Sequence, residues 1–256
     1  MRVSDLKQSE HLKFGIYGPP GSGKTYSLST LPDEARPVFI ADFDNGLRSL
    51  KNAGKCDNIY FQYYDSWDRF ISMFHKLCSS GTVQLGAETV IPKTFVIDSW
   101  TNLEERKFAS MFKNADKGDK LKIWGEFLEK DRGFLLQLQA LKFNVVVLFH
   151  NNTTYEEATK TMWEQPITYG ANSGMPSRLP GFFDEFYYSV AKIPPAGATK
   201  KREYNWITAA SRTLTVRTRS GLPTSIPQNF SKIFNRKENE DVQNSESGDS
   251  DNKRSD

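Results

Sequence analysis

The sequence predicts an α/β fold in which a mostly parallel central sheet carries helices on both faces. Short apolar strands alternate with helical segments through residue 149, which is the pattern of a parallel sheet with crossover helices. The strands are continuous apolar runs, as expected for strands that are covered on both faces. With 256 residues, of which 38% are hydrophobic and 25% charged, the chain is long enough to bury a sizeable core.

Each element follows from local patterning. Continuous apolar runs predict buried strands at residues 13–17, 37–42, 59–63, 94–98 and 144–149. Apolar residues at helical spacing predict helices from near Gly23 to before Pro32 and at residues 67–79, 102–112 and 120–142. Toward the C-terminus we expect partly antiparallel strands at 184–193, 204–209 and 212–218, with a short closing element at 226–234.

The charge distribution separates residues 1–235, which we expect to form one domain, from an acidic tail. Residues 236–256 carry four basic and seven acidic side chains and a single aliphatic residue, Val242. Such a composition is typical of a disordered segment. Because the whole chain has a net charge of +3 and the tail one of −3, residues 1–235 carry +6. A basic body with an acidic tail favours a polyanion-binding surface for which the tail would compete.

Several broad classes of protein are excluded by the same composition. The longest apolar run, residues 145–149, is far shorter than the roughly 20 residues of a membrane helix, and the N-terminus has no apolar signal core. Two cysteines, Cys56 and Cys78, are too few for a disulfide framework or a cysteine-based zinc site. We therefore expect a cytoplasmic protein, in a reducing compartment, without a membrane partner.

A glycine-rich motif follows the first predicted strand and opens the first predicted helix. It fits the P-loop pattern G-x-x-x-x-G-K-[ST], in which backbone N–H groups surround phosphate oxygens. An incidental glycine-rich turn is the alternative, with a chance on the order of one in a hundred for a chain of this glycine content. The motif predicts ATP and Mg²⁺ as ligands, with Lys24 on the β- and γ-phosphates and the Thr25 hydroxyl on the metal. Its residues are Gly18, Pro19, Pro20, Gly21, Ser22, Gly23, Lys24 and Thr25.

Acidic residues at the ends of two other predicted strands complete the expected site. Asp98 ends a hydrophobic strand in the Walker-B arrangement and is expected to hold the metal with Thr25, although a helix cap is the alternative role. Asp42 and Asp44 follow another strand whose end meets the same crevice, so either is a candidate to activate water. We favour Asp44, against the alternative that both belong to a solvated turn.

Five segments together resemble the phage RecA-like ATPases of the Sak-four type. In order they are residues 18–25, 40–50, 95–99, the Trp124-Gly125 pair before a long helix, and 145–150, within a resemblance that covers roughly residues 12–235. The resemblance implies a RecA-like core, an ATPase that uses Mg²⁺, and single-stranded DNA binding in homologous recombination. It also implies a homo-oligomeric ring or filament in the bacterial host cytoplasm, working with a single-strand-binding protein.

The same resemblance suggests roles for individual residues. Asp44 stands where these enzymes have a catalytic glutamate, and its shorter side chain puts the rate of hydrolysis in question. His150 stands where a polar residue senses the γ-phosphate and leads into a DNA-binding loop, here residues 151–181. A histidine that merely caps the strand end is the alternative.

Aromatic and basic residues after His150 favour a single-stranded nucleic acid as partner, since such binders combine stacking with a basic groove. Aromatic residues packed under the loop and lysines on a solvated hairpin are the alternative. The stacking candidates are Tyr155, Trp163 and Tyr169, and the phosphate-binding candidates are Lys200, Lys201 and Arg202.

Two arginines near the C-terminus are candidates to complete the ATP site of an adjacent subunit. Arg217 and Arg219 lie at alternate positions of a predicted strand, so their side chains are expected on one face.

Two other functions stay open from the sequence. One is a P-loop motor or loader in DNA replication, and the other is a DNA-binding module that uses ATP as a switch with little turnover.

Overall fold

The computed structural model describes residues 11–113, 119–158, 160–169, 175–192, 194 and 202–234. Its strands, in chain order, are β1 (Lys13–Gly18), β2 (Val38–Asp42), β3 (Ile59–Tyr63), β4 (Val83–Leu85), β5 (Glu88–Val90), β6 (Thr94–Asp98), β7 (Asn144–Glu156), β8 (Thr161–Pro166), β9 (Glu185–Lys192), β10 (Glu203–Ile207) and β11 (Ser225–Pro227). Its helices are α1 (Lys24–Ser27), α2 (Arg48–Lys51), α3 (Trp67–Ser80), α4 (Trp100–Phe112), α5 (Lys120–Ala140) and α6 (Met175–Arg178).

One sheet organises the described part of the chain, with strands in the order β11-β10-β9-β1-β7-β6-β2-β3. The six strands from β9 to β3 run parallel, whereas β10 pairs antiparallel with β9 and β11 antiparallel with β10. The predicted α/β class, with a mostly parallel sheet and antiparallel C-terminal strands, is confirmed. The strand that precedes the glycine-rich motif, β1, lies between β9 and β7, both of which come much later in the sequence. The strand that carries Asp98, β6, lies next to β7.

Alternate residues of the central strands point into two cores, one on each face of the sheet. On one face, α3, α4 and α5 pack aromatic residues such as Phe74, Trp100 and Phe134 against the strands. The other face is covered by shorter pieces. These are the turn of α1, the 3-10 turn Leu28–Thr30 that continues it, α2, and a helical turn at residues 231–234. The predicted cover on both faces is therefore present but unequal.

The structure differs from the sequence-based expectation at the strand 59–63 and in the segment 151–181. The strand 59–63 is the exposed edge of the sheet, with Phe61 58% exposed, because no further strand pairs with β3 in the described residues. The segment 151–181 begins with the hairpin arm, defined here as residues 151–166, in which β7 continues past the sheet and β8 folds back on it. Sequence patterning also gave no indication of the β4–β5 hairpin or of α2.

The predicted strand at 212–218 does not form. Leu214 and Arg217 make only isolated bridges, and the chain then turns onto the buried carboxylate of Glu185. Glu185 Oε1 accepts hydrogen bonds from the backbone N–H groups of Arg219, at 3.2 Å, and Ser220, at 3.1 Å. Within the predicted strand, the N–H of Thr215 donates to Tyr17 Oη at 3.1 Å and the N–H of Thr213 to Ser211 Oγ at 3.2 Å. Side chains thus take donors that a ladder would need.

A buried ionic cluster joins α4 to α5. Lys107 is fully buried and donates to Asp131 and, at 3.1 Å, to the carbonyl of Phe127, whose ring lies 4.5 Å from the ammonium. Glu104, one turn earlier, is also fully buried and accepts from the Thr168 hydroxyl at 2.7 Å. Burial and the neighbouring Asp131 raise the pKa of Glu104, so its protonated form is favoured.

We expect Lys107→Met to lower the free energy of unfolding by about 3–5 kcal/mol, because it leaves the Asp131 carboxylate buried without its cation. The double variant Lys107→Met, Asp131→Leu should recover most of this loss. Urea unfolding of both variants and of the wild type measures the difference. A single variant as stable as the wild type would contradict the assignment.

Candidate functional site

The glycine-rich loop between β1 and α1 is shaped by residues in the left-handed region of backbone space. Gly21 has a φ of 74° and Gly23 one of 94°, values that favour glycine. A Cβ at Gly23 would also lie 2.6 Å from Gln228 Oε1 and 2.7 Å from Tyr204 Cδ1. The loop therefore needs glycine both for its curvature and for the close approach of the C-terminal strands.

Lys24 and Ser22 are polar groups of the loop that suit a phosphate ligand. Lys24 Nζ donates to the carbonyls of Gly18, at 2.7 Å, and Pro19, at 3.1 Å, so the ammonium lies over the loop. Burial lowers the pKa of Lys24, although Asp98 and Asp44 oppose this. Ser22 is 2% exposed, and its hydroxyl has no hydrogen-bond partner among the described residues. A phosphate group would supply a negative charge for the Lys24 ammonium and a hydrogen-bond acceptor for the Ser22 hydroxyl.

Thr25 and Asp98 meet as the sequence predicts. Thr25 Oγ1 donates to Asp98 Oδ2 at 2.8 Å, and Asp98 is 3% exposed. In the described part of the chain, no group of three or more His, Cys, Asp and Glu side chains is arranged to hold a metal. A magnesium ion at Thr25 and Asp98 would take its other ligands from phosphate and water, as Mg²⁺ does in nucleotide sites.

Burial dominates the electrostatics of Asp98. It raises the pKa of this carboxyl to about 7, and the charges of Asp44 and Asp42 act in the same direction. The hydrogen bond from Thr25 and the charge of Lys24 oppose the shift without cancelling it. A divalent cation would relieve this accumulation of negative charge, so the site fits the metal that the motif implies.

Asp44 is held by three hydrogen-bond donors, two at the start of α4 and one on β7. Its Oδ1 accepts from Ser99 Oγ at 2.7 Å and Asn102 Nδ2 at 2.6 Å, and its Oδ2 lies 2.9 Å from His150 Nε2. Burial disfavours the ionised form of Asp44, but the hydrogen bonds from His150, Ser99 and Asn102 outweigh it, and the pKa lies below its usual value. Asp44 is therefore an ionised carboxylate at neutral pH.

Asp42 has a different environment. It is 2% exposed, and its Oδ1 accepts the backbone N–H groups of Asp44 at 3.0 Å and Asn45 at 2.9 Å. These bonds make Asp42 the acceptor of an Asx-type turn, which shapes the backbone that presents Asp44. Asp44, and not Asp42, contacts His150.

His150 lies where the resemblance places a sensor. It pairs in register with Gly18, the first residue of the glycine-rich loop, and its backbone N–H donates to Thr101 Oγ1 at 3.1 Å. Sequence reasoning missed Ser99 and Asn102, the two residues that hold Asp44 from α4. The available signal was Ser99 itself, because a serine directly before a helix is an N-cap, and its side chain accepts from the N–H of Asn102.

The aromatic candidates are divided between the hairpin arm and the body. Tyr155 and Trp163 are 59% and 39% exposed, but Tyr155 pairs with Met162 and Trp163 with Thr154, which puts the two rings on opposite faces of the arm. Tyr169 does not belong to the arm. Its ring packs 5.0 Å from that of Phe108 and also against Trp124 and Phe127, which favours the alternative of an aromatic residue packed against the body. Stacking of a base on Tyr169 stays a prediction.

The charge of the hairpin arm was not anticipated. It carries Glu156, Glu157 and Glu164 against one cation, Lys160. The arm is therefore acidic and does not form the basic track that a phosphate backbone needs. Of the basic candidates, Arg202 is exposed just before β10, whereas Lys200 and Lys201 lie outside the described residues.

Arg217 and Arg219 contact residues just before β9, near the start of β1 and not its loop end. Arg219 pairs with Asp184 at 2.9 Å, and Asp184 Oδ2 in turn accepts the backbone N–H of Lys13, the first residue of β1. Arg217 donates to the carbonyl of Pro180 at 3.2 Å. Both arginines thus sit at the edge of the sheet opposite the glycine-rich loop, and the shared strand face predicted for them is absent. Their contribution to a neighbouring subunit stays a prediction.

We expect Asp98→Asn to raise the melting temperature of the protein without nucleotide or magnesium. The pKa of Asp98 in the folded protein, about 7, lies above its unfolded value, so the carboxyl ionises first in the unfolded chain. Stability is lost as pH rises through this interval, until the folded carboxyl also ionises near pH 7. The amide has no such loss. The advantage of the variant should grow from pH 5 to pH 7 and then level off. It should reach several degrees, since about 1 kcal/mol shifts a domain of this size by roughly 2–4 °C. The same difference in melting temperature between variant and wild type at pH 5 and pH 8 would contradict the raised pKa of Asp98.

Comparison with known proteins agrees with this geometry. Among the described residues, no helix is both long enough and apolar enough to cross a bilayer. No curated protein matches the chain at a significant level. The profile of a family described as AAA domain matches residues 10–224, which covers the glycine-rich loop, Asp44, Asp98 and His150. The chain therefore belongs to this AAA domain family of P-loop ATPases.

Proposed function

We propose that the protein hydrolyses ATP to ADP and phosphate at the glycine-rich loop, with Asp44 as the group that orients and deprotonates the attacking water. The observation that carries this proposal is the environment of Asp44. An ionised carboxylate is fixed at the carboxyl edge of the sheet, beside the loop, by donors from α4 and β7.

The hydrogen-bond capacity of Asp44 leaves room for water. An ionised carboxylate has about four acceptor positions. Ser99 and Asn102 occupy two positions on Oδ1, and His150 occupies one on Oδ2. The remaining position on Oδ2 lies next to His150. A water there would be held by the carboxylate and would share the imidazole as a neighbour.

The other groups divide the remaining tasks. Lys24 would leave the carbonyls of Gly18 and Pro19 for the phosphates, and Thr25 and Asp98 would hold Mg²⁺. A bound magnesium ion would neutralise charge that develops on the phosphate oxygens. His150 would report the presence of the γ-phosphate through its contact with Asp44. The three donors fix the orientation of the Asp44 carboxylate, but its side chain stays one methylene shorter than that of a glutamate.

We expect Asp44→Asn to keep ATP affinity but to slow hydrolysis by about 10²–10⁴-fold, the usual contribution of a general base. Lys24→Ala should instead abolish ATP binding, because the lysine neutralises phosphate charge. Steady-state ATPase assays and equilibrium binding measure the two effects separately.

Asp42→Asn is the matched control. An asparagine Oδ1 still accepts the N–H groups of Asp44 and Asn45, so this variant should retain most of the turnover. A slow Asp42→Asn enzyme beside a normal Asp44→Asn enzyme would reverse the assignment of the two carboxylates.

We further propose that single-stranded DNA is the partner and that DNA stimulates hydrolysis, in recombination by annealing or strand exchange. The +6 charge of residues 1–235 and the resemblance to Sak-four ATPases support a polyanion partner. Since the hairpin arm is acidic, the phosphates would follow the basic connection between β9 and β10, and Tyr155 and Trp163 would contribute stacking alone.

An oligomer on DNA, a ring or a filament, belongs to the same proposal, as does a single-strand-binding protein as a further partner. ATPase assays with and without single-stranded DNA test the dependence. Annealing of complementary strands would support the recombination role. ATP-dependent unwinding would support the alternative of a replication motor or loader, and ATP binding without turnover would support a switch module.

Deletion of residues 236–256, which lie outside the described residues, should tighten binding to single-stranded DNA. The tail carries −3, so its removal raises the net charge from +3 to +6 and removes an internal competitor for the basic surface. The gain should shrink as salt rises, since each phosphate contact contributes a slope of about −0.7 in log K against log salt.

Fluorescence anisotropy with an oligothymidine at low and high salt compares the two forms. Equal affinity at low salt would show that the tail does not compete. Weaker binding after deletion would indicate that the tail recruits DNA through an oligomer or a partner.

A further inference from the structure

Two tyrosines form an aromatic platform beside the glycine-rich loop, on the side away from Asp44. Tyr26 directly follows Thr25, and its side chain is 44% exposed. Its ring lies 6.2 Å from that of Tyr204, with an angle of 24° between the planes, so one ring backs the other. We call this pair the Tyr26–Tyr204 platform.

The platform is tied to the loop by direct contacts. Tyr204 lies on β10, and its Cδ1 approaches Gly23 so closely that a Cβ there would come within 2.7 Å. The carbonyl of Tyr204 accepts the N–H of Gln228 at 3.1 Å, and Gln228 Nε2 donates to the carbonyl of Ser22 at 2.8 Å. Gln228 Nε2 also donates to Ser189 Oγ at 2.7 Å. The ring of Tyr204 is thereby fixed relative to the loop, and Tyr26 rests against it.

The strand order fixes the direction in which a bound nucleotide would run. On one side of β1 lie β7, β6 and β2, which supply His150, Asp98 and Asp44. On the other side lie β9 and β10, which supply the backing for Tyr26. If the terminal phosphate faces the carboxylates, the opposite end of the nucleotide leaves the loop past Thr25, toward Tyr26.

We propose that the exposed ring of Tyr26, backed by Tyr204, is the stacking surface for the nucleobase. The site then distinguishes a nucleoside triphosphate from a bare polyphosphate, because only the former has a flat π-face to place on the ring. This inference rests on the proposed nucleotide site at the loop. It gives Tyr26 a binding role and Tyr204 a positioning role, which neither the P-loop pattern nor the family match assigns.

The test compares ATP with inorganic tripolyphosphate, which has the phosphate chain without sugar or base. Binding of both ligands, in the presence of Mg²⁺, is measured by calorimetry for the wild type, Tyr26→Ala and Tyr26→Phe. We expect Tyr26→Ala to weaken ATP binding by about ten- to a hundred-fold, the range of base–aromatic stacking, and to leave tripolyphosphate affinity unchanged. Tyr26→Phe, which keeps the ring, should bind ATP as the wild type does.

The outcomes separate this inference from the function on which it rests. Equal losses for ATP and tripolyphosphate in Tyr26→Ala, or no loss for either, would overturn the stacking role. Failure of the wild type to bind either ligand would overturn the nucleotide site itself. Lys24→Ala should weaken both ligands together. Because Tyr26 is exposed, Tyr26→Ala should melt within about 1–2 °C of the wild type, as surface substitutions usually do, and this confirms that the variant is folded.

Discussion

The strands β1, β6 and β2 end near one another at a single edge of the sheet, where β7 leaves the sheet to form the hairpin arm, and this alignment determines where every charged group of the site lies. Gly18 pairs with His150, and Asp42 with Asp98. The chain reverses direction only after these residues, into the loop, α4 and the Asx-type turn. Since parallel strands present their carboxyl ends together, residues more than a hundred positions apart become hydrogen-bonded neighbours, as Asp44 and His150 do.

The same alignment concentrates buried charge. Burial perturbs the pKa of Lys24 downward and that of Asp98 and Asp42 upward, and Asp44 adds negative charge beside them. Of the three aspartates, only Asp44, which has three donors, has a pKa below its usual value. In the Lys107–Asp131 cluster between α4 and α5, by contrast, the buried charge is balanced, because the cation and the anion both belong to the fold. A site that is completed by an outside ligand must carry unbalanced charge without it, and this is a cost to stability that a structural cluster avoids.

The sequence was sufficient for the parts that depend on local pattern. Continuous apolar runs located five of the six parallel strands, and the glycine-rich motif located Lys24 and Thr25. The sixth, β9, was expected among partly antiparallel strands and instead pairs parallel with β1. What it could not show depends on contacts across the sheet. Asn102 is 58 residues from the carboxylate it holds, and Tyr204 reaches the loop only because β10 pairs with β9. The segment 212–218 alternates like a strand, but the hydroxyls of Ser211 and Tyr17 accept backbone N–H groups that a ladder would need. Local pattern does not reveal which competing acceptor will be nearby.

The first turn of α4 connects the carboxylate of Asp44 to both ends of the hairpin arm. Thr101 accepts the N–H of His150, where the arm leaves the sheet, and donates to the carbonyl of Ile167 at 3.2 Å, where the arm returns. One residue along α4, Asn102 holds Asp44, and one residue after Ile167, Thr168 is bonded to Glu104 of the same helix. Because one rigid helix contacts all of these points, the position of the arm and the orientation of Asp44 are set by the same element. An arm that bound a partner would therefore act on the helix that also orients the carboxylate of Asp44.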